Sequence, residues 1–324
     1  MTQVQKVLVT GGAGFIGSNF ILQTLQLKSD VEIVVLDKLT YAGSLSRLES
    51  AVDRIKFVKG DVCNAELVEE LIAKVDLVVH FAAESHNDNS LDNPDIFIET
   101  NVLGTLNIVK SCASNNVRLH HVSTDEVFGD LPIESNDQFM TSSPYAPSSP
   151  YSASKAASDH LVRAWSRSFG LKATISNCSN NYGPMQHWEK LIPHTIKRLA
   201  SGKNAQIFGS GHNVRDWIHV NDHIAGIWLA IDQGLLGATY LLGARDTVDN
   251  LTIVRAILSE LGLPESRIEF VADRPGHDLK YAIDPSSAEV ELGWEPRHRS
   301  VICHMPHIVK WYKTQLKIEG KNAS

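Results

Sequence analysis

The stretch that most limits what this chain can become is its first, Lys6-Val7-Leu8-Val9-Thr10-Gly11-Gly12-Ala13-Gly14-Phe15-Ile16-Gly17-Ser18. An apolar, β-branched run reads as a buried strand, and the glycines after it read as a turn into a helix. Gly11, Gly14 and Gly17 recur every three residues. Without side chains they permit a tight turn, close approach of a pyrophosphate and close packing of helix on strand. The N-terminus of the following helix offers free N–H groups and partial positive charge to phosphates. Asp37 closes the next strand, where a carboxylate can accept hydrogen bonds from an adenosine ribose and would repel a 2′-phosphate. The expected ligand is therefore NAD rather than NADP. Asp61, after the third strand, is a candidate contact to adenine.

The rest of the first half repeats this alternation. Strands are expected at Lys6–Thr10, Glu32–Asp37, Lys56–Val62, Leu77–Phe81, Leu119–Ser123 and Ala173–Asn177, and helices at Gly14–Leu27, Glu66–Lys74 and Thr100–Asn115. Strands alternating with helices predict an α/β fold with a doubly wound parallel sheet of the Rossmann kind. Beyond about residue 180, prolines and glycines break the pattern. The expected organisation is an NAD-binding unit over 1–180 and a smaller α/β substrate unit over 181–324, with a soft boundary that the chain can cross.

With 324 residues, 43% of them apolar, a full core can be buried. A net charge of −7 and no basic stripe argue against nucleic acid as a partner. No run approaches the roughly 18 apolar residues of a membrane span, and the start lacks a signal-peptide pattern. Cys63, Cys112, Cys178 and Cys303 are scattered, as reduced thiols would be, so a cytoplasmic location is expected. Cys303, His304 and His307 have no second ligand cluster near them in sequence, so no metal is expected.

Two further constellations carry chemistry. In Ser149-Pro150-Tyr151-Ser152-Ala153-Ser154-Lys155, Ser149 reads as a helix N-cap with proline at the first helical position. Tyr151 and Lys155, four apart, share a helix face. A neighbouring ammonium and a positive nicotinamide ring are expected to lower the phenol pKa, letting Tyr151 accept a hydroxyl proton. Tyr-x-x-x-Lys alone occurs by chance; it gains weight from the glycine turn that precedes it. The fifth strand ends in Thr124-Asp125-Glu126, where a doubly wound sheet binds its ligands. Two adjacent carboxyls with separated pKa values can act as acid and base. A surface turn is the bland alternative.

These motifs resemble the extended short-chain dehydrogenase/reductase superfamily, and within it the nucleotide-sugar 4,6-dehydratases. The likeness is carried by Gly11–Gly17, by 37–43, by His80-Phe81-Ala82-Ala83-Glu84-Ser85-His86, by Ser123–Gly129 and by Pro150–Lys155. It continues through Asn180-Asn181-Tyr182-Gly183-Pro184, 189–193, Val214-Arg215-Asp216-Trp217 and Arg274-Pro275-Gly276-His277-Asp278, in the family's order. The resemblance implies a homodimer, with a helix bundle that includes Tyr151–Phe169, acting on a nucleoside-diphosphate hexose in deoxysugar biosynthesis. Thymidine-linked glucose is the foremost substrate and the uridine-linked sugar the alternative. It implies Tyr151 as the base of C4 oxidation with Lys155 and Thr124 assisting, Glu126 as the base at C5 and Asp125 as the acid at C6. Phe15, Ile16, Lys38, Thr40, Val62 and Ala82 would join Gly11, Gly14, Gly17, Asp37, Asp61, Tyr151 and Lys155 around NAD. Ser85, His86, Asn180, Lys190, Leu191, Arg215, Asn250, Arg274 and His277 would hold the nucleotide sugar, the arginines by forked hydrogen bonds to phosphate.

The sequence departs from that pattern at 85–90, where Ser-His-Val-Asp-Arg-Ser is usual and Ser85-His86-Asn87-Asp88-Asn89-Ser90 stands here. Met185-Gln186-His187-Trp188 is also an unusual loop. The rival readings are a 4-epimerase or decarboxylase of the same fold, against which Asp125 argues, and a non-catalytic NAD sensor.

Overall fold

The computed structural model describes residues 4–273 and 276–322. In chain order its strands are β1 (Lys6–Thr10), β2 (Glu32–Asp37), β3 (Ile55–Lys59), β4 (Leu77–His80), β5 (Arg118–Thr124) and β6 (Ala173–Cys178), then β7 (Asn180–Tyr182), β8 (Ala205–Phe208), β9 (Val214–His219), β10 (Thr239–Leu242), β11 (Thr247–Asp249) and β12 (Ile268–Val271). Seven of them form one sheet in the order β3-β2-β1-β4-β5-β6-β10, every neighbour parallel. The six strands expected in the first half all lie in it.

Parallel strands are covered on both faces, and the period-2 alternation of side chains decides which residue serves which face. Val7 and Val9 of β1 join Phe20, Val35 and Trp228 on one side. Leu8 joins Val78, Ile108, Leu119 and Val162 on the other. The strand order reverses between β1 and β4, which opens a crevice above their carboxyl ends.

The second half builds a three-stranded sheet, β11-β9-β7, and a parallel pair, β8 with β12. A third apolar cluster, including Tyr182, Ile196, Trp217, Ile257 and Tyr312, packs them against the helices Leu191–Ala200, Asn250–Leu261 and Val301–Asn322. The chain does not stay there. Helix Val220–Asp232 lays Ile224, Ile227 and Trp228 onto the Phe20 face, and β10 pairs with β6 at the edge of the large sheet. Residues 220–242 therefore belong in space to the first unit, although they follow the boundary near residue 180.

Among the described residues, no helix is long and apolar enough to cross a membrane. No group of three or more His, Cys, Asp and Glu side chains among them could hold a metal. His304 instead packs against the ring of His298, 4.7 Å away between centroids.

Candidate active site

Above β1 and β4 lies a cavity of about 300 Å³. Its floor is the glycine turn. Gly11 has φ +68°, and a Cβ there would sit 2.6 Å from the Ala82 nitrogen. A Cβ on Gly17 would meet the Gly11 oxygen at 2.4 Å, so helix Phe15–Leu27 can rest on the turn only with glycine at that position. Gly14 caps that helix without a side-chain bond, which leaves its first N–H groups facing the cavity for phosphates. This backbone cradle, closed to any Cβ, fits NAD. Phe15, Ile16, Asp37, Lys38, Thr40, Asp61, Val62, Ala82, Tyr151 and Lys155 all line the same cavity.

Two of these side chains do more than face a ligand. Asp37 accepts from Ala13 N at 2.9 Å and Leu39 N at 2.8 Å, so its carboxylate braces the glycine turn as well as lining the crevice. Asp61 is ion-paired with Lys38 at 2.7 Å. Burial raises the Asp61 pKa, but the Cys63 N–H and Lys38 outweigh it and hold the group below the usual carboxylate range.

Tyr151 and Lys155 sit on helix Pro150–Phe169, which starts as its sequence predicts. Ser149 is the N-cap in a reciprocal capping box with Ser152, and Gly170 ends the helix in the left-handed conformation. Lys155 Nζ donates to the Val122 carbonyl at 2.9 Å, behind the strand end. Asn101 ties the helix to the 82–85 segment, donating to the Glu84 carbonyl at 3.0 Å and to Ser154 Oγ at 2.8 Å. One expectation needs correction. The protein's own groups do not depress the Tyr151 phenol. Burial first, then the Glu126 carboxylate, hold it well above its ordinary value, and the Thr124 hydroxyl opposes them only in part. Lys155 has turned its ammonium to a carbonyl.

The carboxyl pair faces the reaction space. Asp125 and Glu126 both line the cofactor cavity beside Tyr151. Asp125 is buried and its Oδ2 has no hydrogen-bond partner among the described residues. Burial, then Glu126 and Asp216, push its pKa well above the carboxylate range, which favours its protonated form. Glu126 is also raised by burial. There the Asn87 amide, Lys190 and Arg215 work in the opposite direction. Adjacent residues thus have different proton affinities, as an acid and a base require.

Glu126 also lines a second cavity of about 410 Å³, shared with Ser85, Asn180 and Lys190. His86, Leu191, Arg215, Asn250 and His277 line its outer part, while Arg274 lies outside the described residues. Lys190 donates to the Ser85 carbonyl at 3.1 Å and is the N-cap of helix Leu191–Ala200, so a cation and a helix N-terminus meet there. Arg215 is less free than expected. Its NH1 donates to the Val214 carbonyl at 2.7 Å and its NH2 to the Asp278 carbonyl at 2.9 Å, which leaves part of the guanidinium fork already occupied. Asn87, Asp278 and Tyr281 also line this cavity. Of these Asn87 was visible in advance as a departure and Asp278 as the end of a matching motif, neither with a role attached, and Tyr281 was not visible.

A family model described as GDP-mannose 4,6 dehydratase matches residues 8–301. A Mycolicibacterium smegmatis protein named dTDP-glucose 4,6-dehydratase is 51% identical over 308 residues, covering 95% of this chain and 93% of the relative. The chain belongs to this dehydratase family. An Escherichia coli dTDP-glucose 4,6-dehydratase is 43% identical over 95% of the chain and 92% of its own length. The crystal structure of DesIV, a dTDP-glucose 4,6-dehydratase from Streptomyces venezuelae solved with NAD and dTDP, superposes with a TM-score of 0.92 at 42% identity. It covers 95% of this chain and 97% of DesIV. A family of NAD-dependent dehydratases accounts for both cavities: a cofactor groove made by the sheet, and a basin that meets it along Glu126, Glu189 and Lys190.

Proposed function

We propose that this chain is an NAD-dependent hydro-lyase that converts dTDP-glucose to dTDP-4-keto-6-deoxyglucose. The observation that carries the reading is the carboxyl pair Asp125 and Glu126 beside Tyr151 in the cofactor cavity, of which Glu126 also lines the second cavity. NAD, held over the glycine turn by Gly11, Phe15, Ile16 and Asp37, would supply the hydride acceptor for C4 and the hydride for C6. Tyr151 takes the C4 hydroxyl proton, with Thr124 beside it in the same cavity and Lys155 fixed behind it. The positive nicotinamide ring supplies the downward pull on the phenol that the protein's own groups lack. Once C4 is a ketone the C5 proton is acidic, and the Glu126 carboxylate removes it. Asp125, kept protonated, gives its proton to the leaving C6 hydroxyl. Lys190, Arg215, Asn250 and His277 hold the nucleotide and diphosphate in the second cavity.

We also place the enzyme in the cytoplasm as a homodimer. Phe169, on the helix expected in the subunit bundle, is 64% exposed, and Ile98 and Leu103 of the helical segment packed beside it are about half exposed; light scattering tests the dimer. For the reaction, incubation with dTDP-glucose gives a 4-keto product detected by its absorbance in alkali. UDP-glucose and other nucleotide sugars form the comparison panel. Absence of that product from dTDP-glucose, with NAD bound, would falsify the reading.

A further inference from the structure

Asn87 stands in the reaction zone with two polar partners and no assigned role. It opens the short helix Asn87–Asp92. Its Nδ2 donates to Glu126 Oε2 at 2.9 Å, and its Oδ1 accepts from the Ser149 hydroxyl at 3.1 Å. The Ser149 hydroxyl also lies 2.9 Å from the Ser152 hydroxyl, which can donate to the Ser149 carbonyl at 3.1 Å. The orientation of the amide follows. An ionised carboxylate only accepts, so the amide's donor end faces Glu126 and its oxygen faces the Ser149 hydroxyl. Ser149 also caps the helix that carries Tyr151 and Lys155. Asn87 thus links the C5 base to the element that presents the C4 base.

We propose that Asn87 is a positioning residue for the C5-proton step: its amide holds the Glu126 carboxylate in place and aims it at the reacting centre. This rests on the roles given to Asp125 and Glu126 above.

The contrast between the two carboxyls supports it. Asp125 Oδ2 is buried with no donor among the described residues, whereas Glu126 has the amide. Lys190 and Arg215 also favour the Glu126 carboxylate, and Asp278 opposes it. Asp125, Tyr151 and Tyr281 face it too. Of the influences that lower the proton affinity of Glu126, the Asn87 hydrogen bond is the largest. The valine usual at this place in the resembled pattern has no donor, so this chain has a device that the pattern lacks.

The test uses the full-length enzyme with NAD bound, in two variants. Asn87→Leu keeps the volume and removes the donor. Asn87→Asp keeps the shape and adds a second carboxyl opposite Glu126. The pH dependence of kcat for 4-keto formation is recorded beside single-turnover reduction of the nicotinamide. The acid limb should move upward by about one pH unit in the leucine variant and further in the aspartate variant, because two facing carboxyls share one site. Near the wild-type limb this is about a tenfold loss that recovers at higher pH. Nicotinamide reduction should stay within about twofold, because general-base effects on C5 do not enter that step. Two outcomes overturn the proposal: an unmoved acid limb in both variants, or an equal loss of nicotinamide reduction, which marks a merely structural role. If the leucine variant fails to fold, the aspartate variant alone still decides. Failure of the wild type to make the 4-keto product overturns the functional reading itself, which is a different result from an unmoved limb.

Discussion

The two cavities are built on different principles. The cofactor groove is made largely by backbone: a glycine turn that no Cβ can enter, uncapped helical N–H groups, and strand ends fixed by a parallel ladder. The sugar-nucleotide basin is made by side chains gathered from distant segments, among them Ser85, Lys190, Arg215, Asn250 and His277. A backbone-made site tolerates no substitution at a few positions and almost any elsewhere. A side-chain site should instead lose affinity by degrees as its members are removed one by one.

That contrast can be broken, and the largest effect should come from the groove. Gly11→Val places a branched side chain at φ +68° and against the Ala82 nitrogen. It should remove bound NAD and cut activity by more than about a thousandfold, a loss of roughly 4 kcal/mol. A purified variant that still carries stoichiometric NAD would break the contrast outright.

Next come the chemical groups where the cavities meet. Tyr151→Phe should slow the first oxidation by about 10²–10⁴-fold, read as single-turnover nicotinamide reduction. A rate equal to wild type removes Tyr151 as the base. Glu126→Gln should spare oxidation but slow elimination by about a hundredfold or more, so reduced nicotinamide accumulates. Full turnover by that variant excludes Glu126 from the C5 step.

Replacing one basin residue should cost less. Lys190→Met should raise KM for the nucleotide sugar by about 10–100-fold through loss of a charge-assisted contact of about 1.5–3 kcal/mol, with kcat changed less. A loss confined to kcat would place Lys190 with the chemistry instead of with binding.

The mildest probe is pH. Burial raises Glu126 above its ordinary 4.5, and its carboxylate must be free, so activity should climb as pH rises through that raised value. Asp125 is also raised, by burial and then by Glu126, and must keep its proton, so activity should fall again once it ionises. An acid limb at or below 4.5 would contradict the environment described for Glu126.

The same contrast explains what could be read from the sequence. The groove is local in sequence: β1, its glycines and Asp37 lie within a few dozen residues, and strand period with turn chemistry reveals them. The order of the large sheet up to β6 follows for the same reason. The return of 220–242 to that sheet was not legible, because a four-residue strand such as β10 carries no periodic signal that names its neighbour. In the basin, Lys190 and Arg215 were found through family likeness, since no spacing rule links them. Proton affinities were the least legible. Burial and the Glu126 carboxylate push the Tyr151 phenol up, and the Lys155 ammonium donates to the Val122 carbonyl, surroundings no motif encodes.

The late strand β10 and the helix before it have a consequence for how such an enzyme changes its substrate. Because the segment that completes the nucleotide-binding sheet is threaded after part of the basin, no single cut in the gene separates the two. Recombination at one crossover would leave the sheet without its edge and the Phe20 face without Trp228. Lineages with this topology must therefore explore new sugars by replacing basin residues in place, one codon at a time, and not by exchanging a whole module.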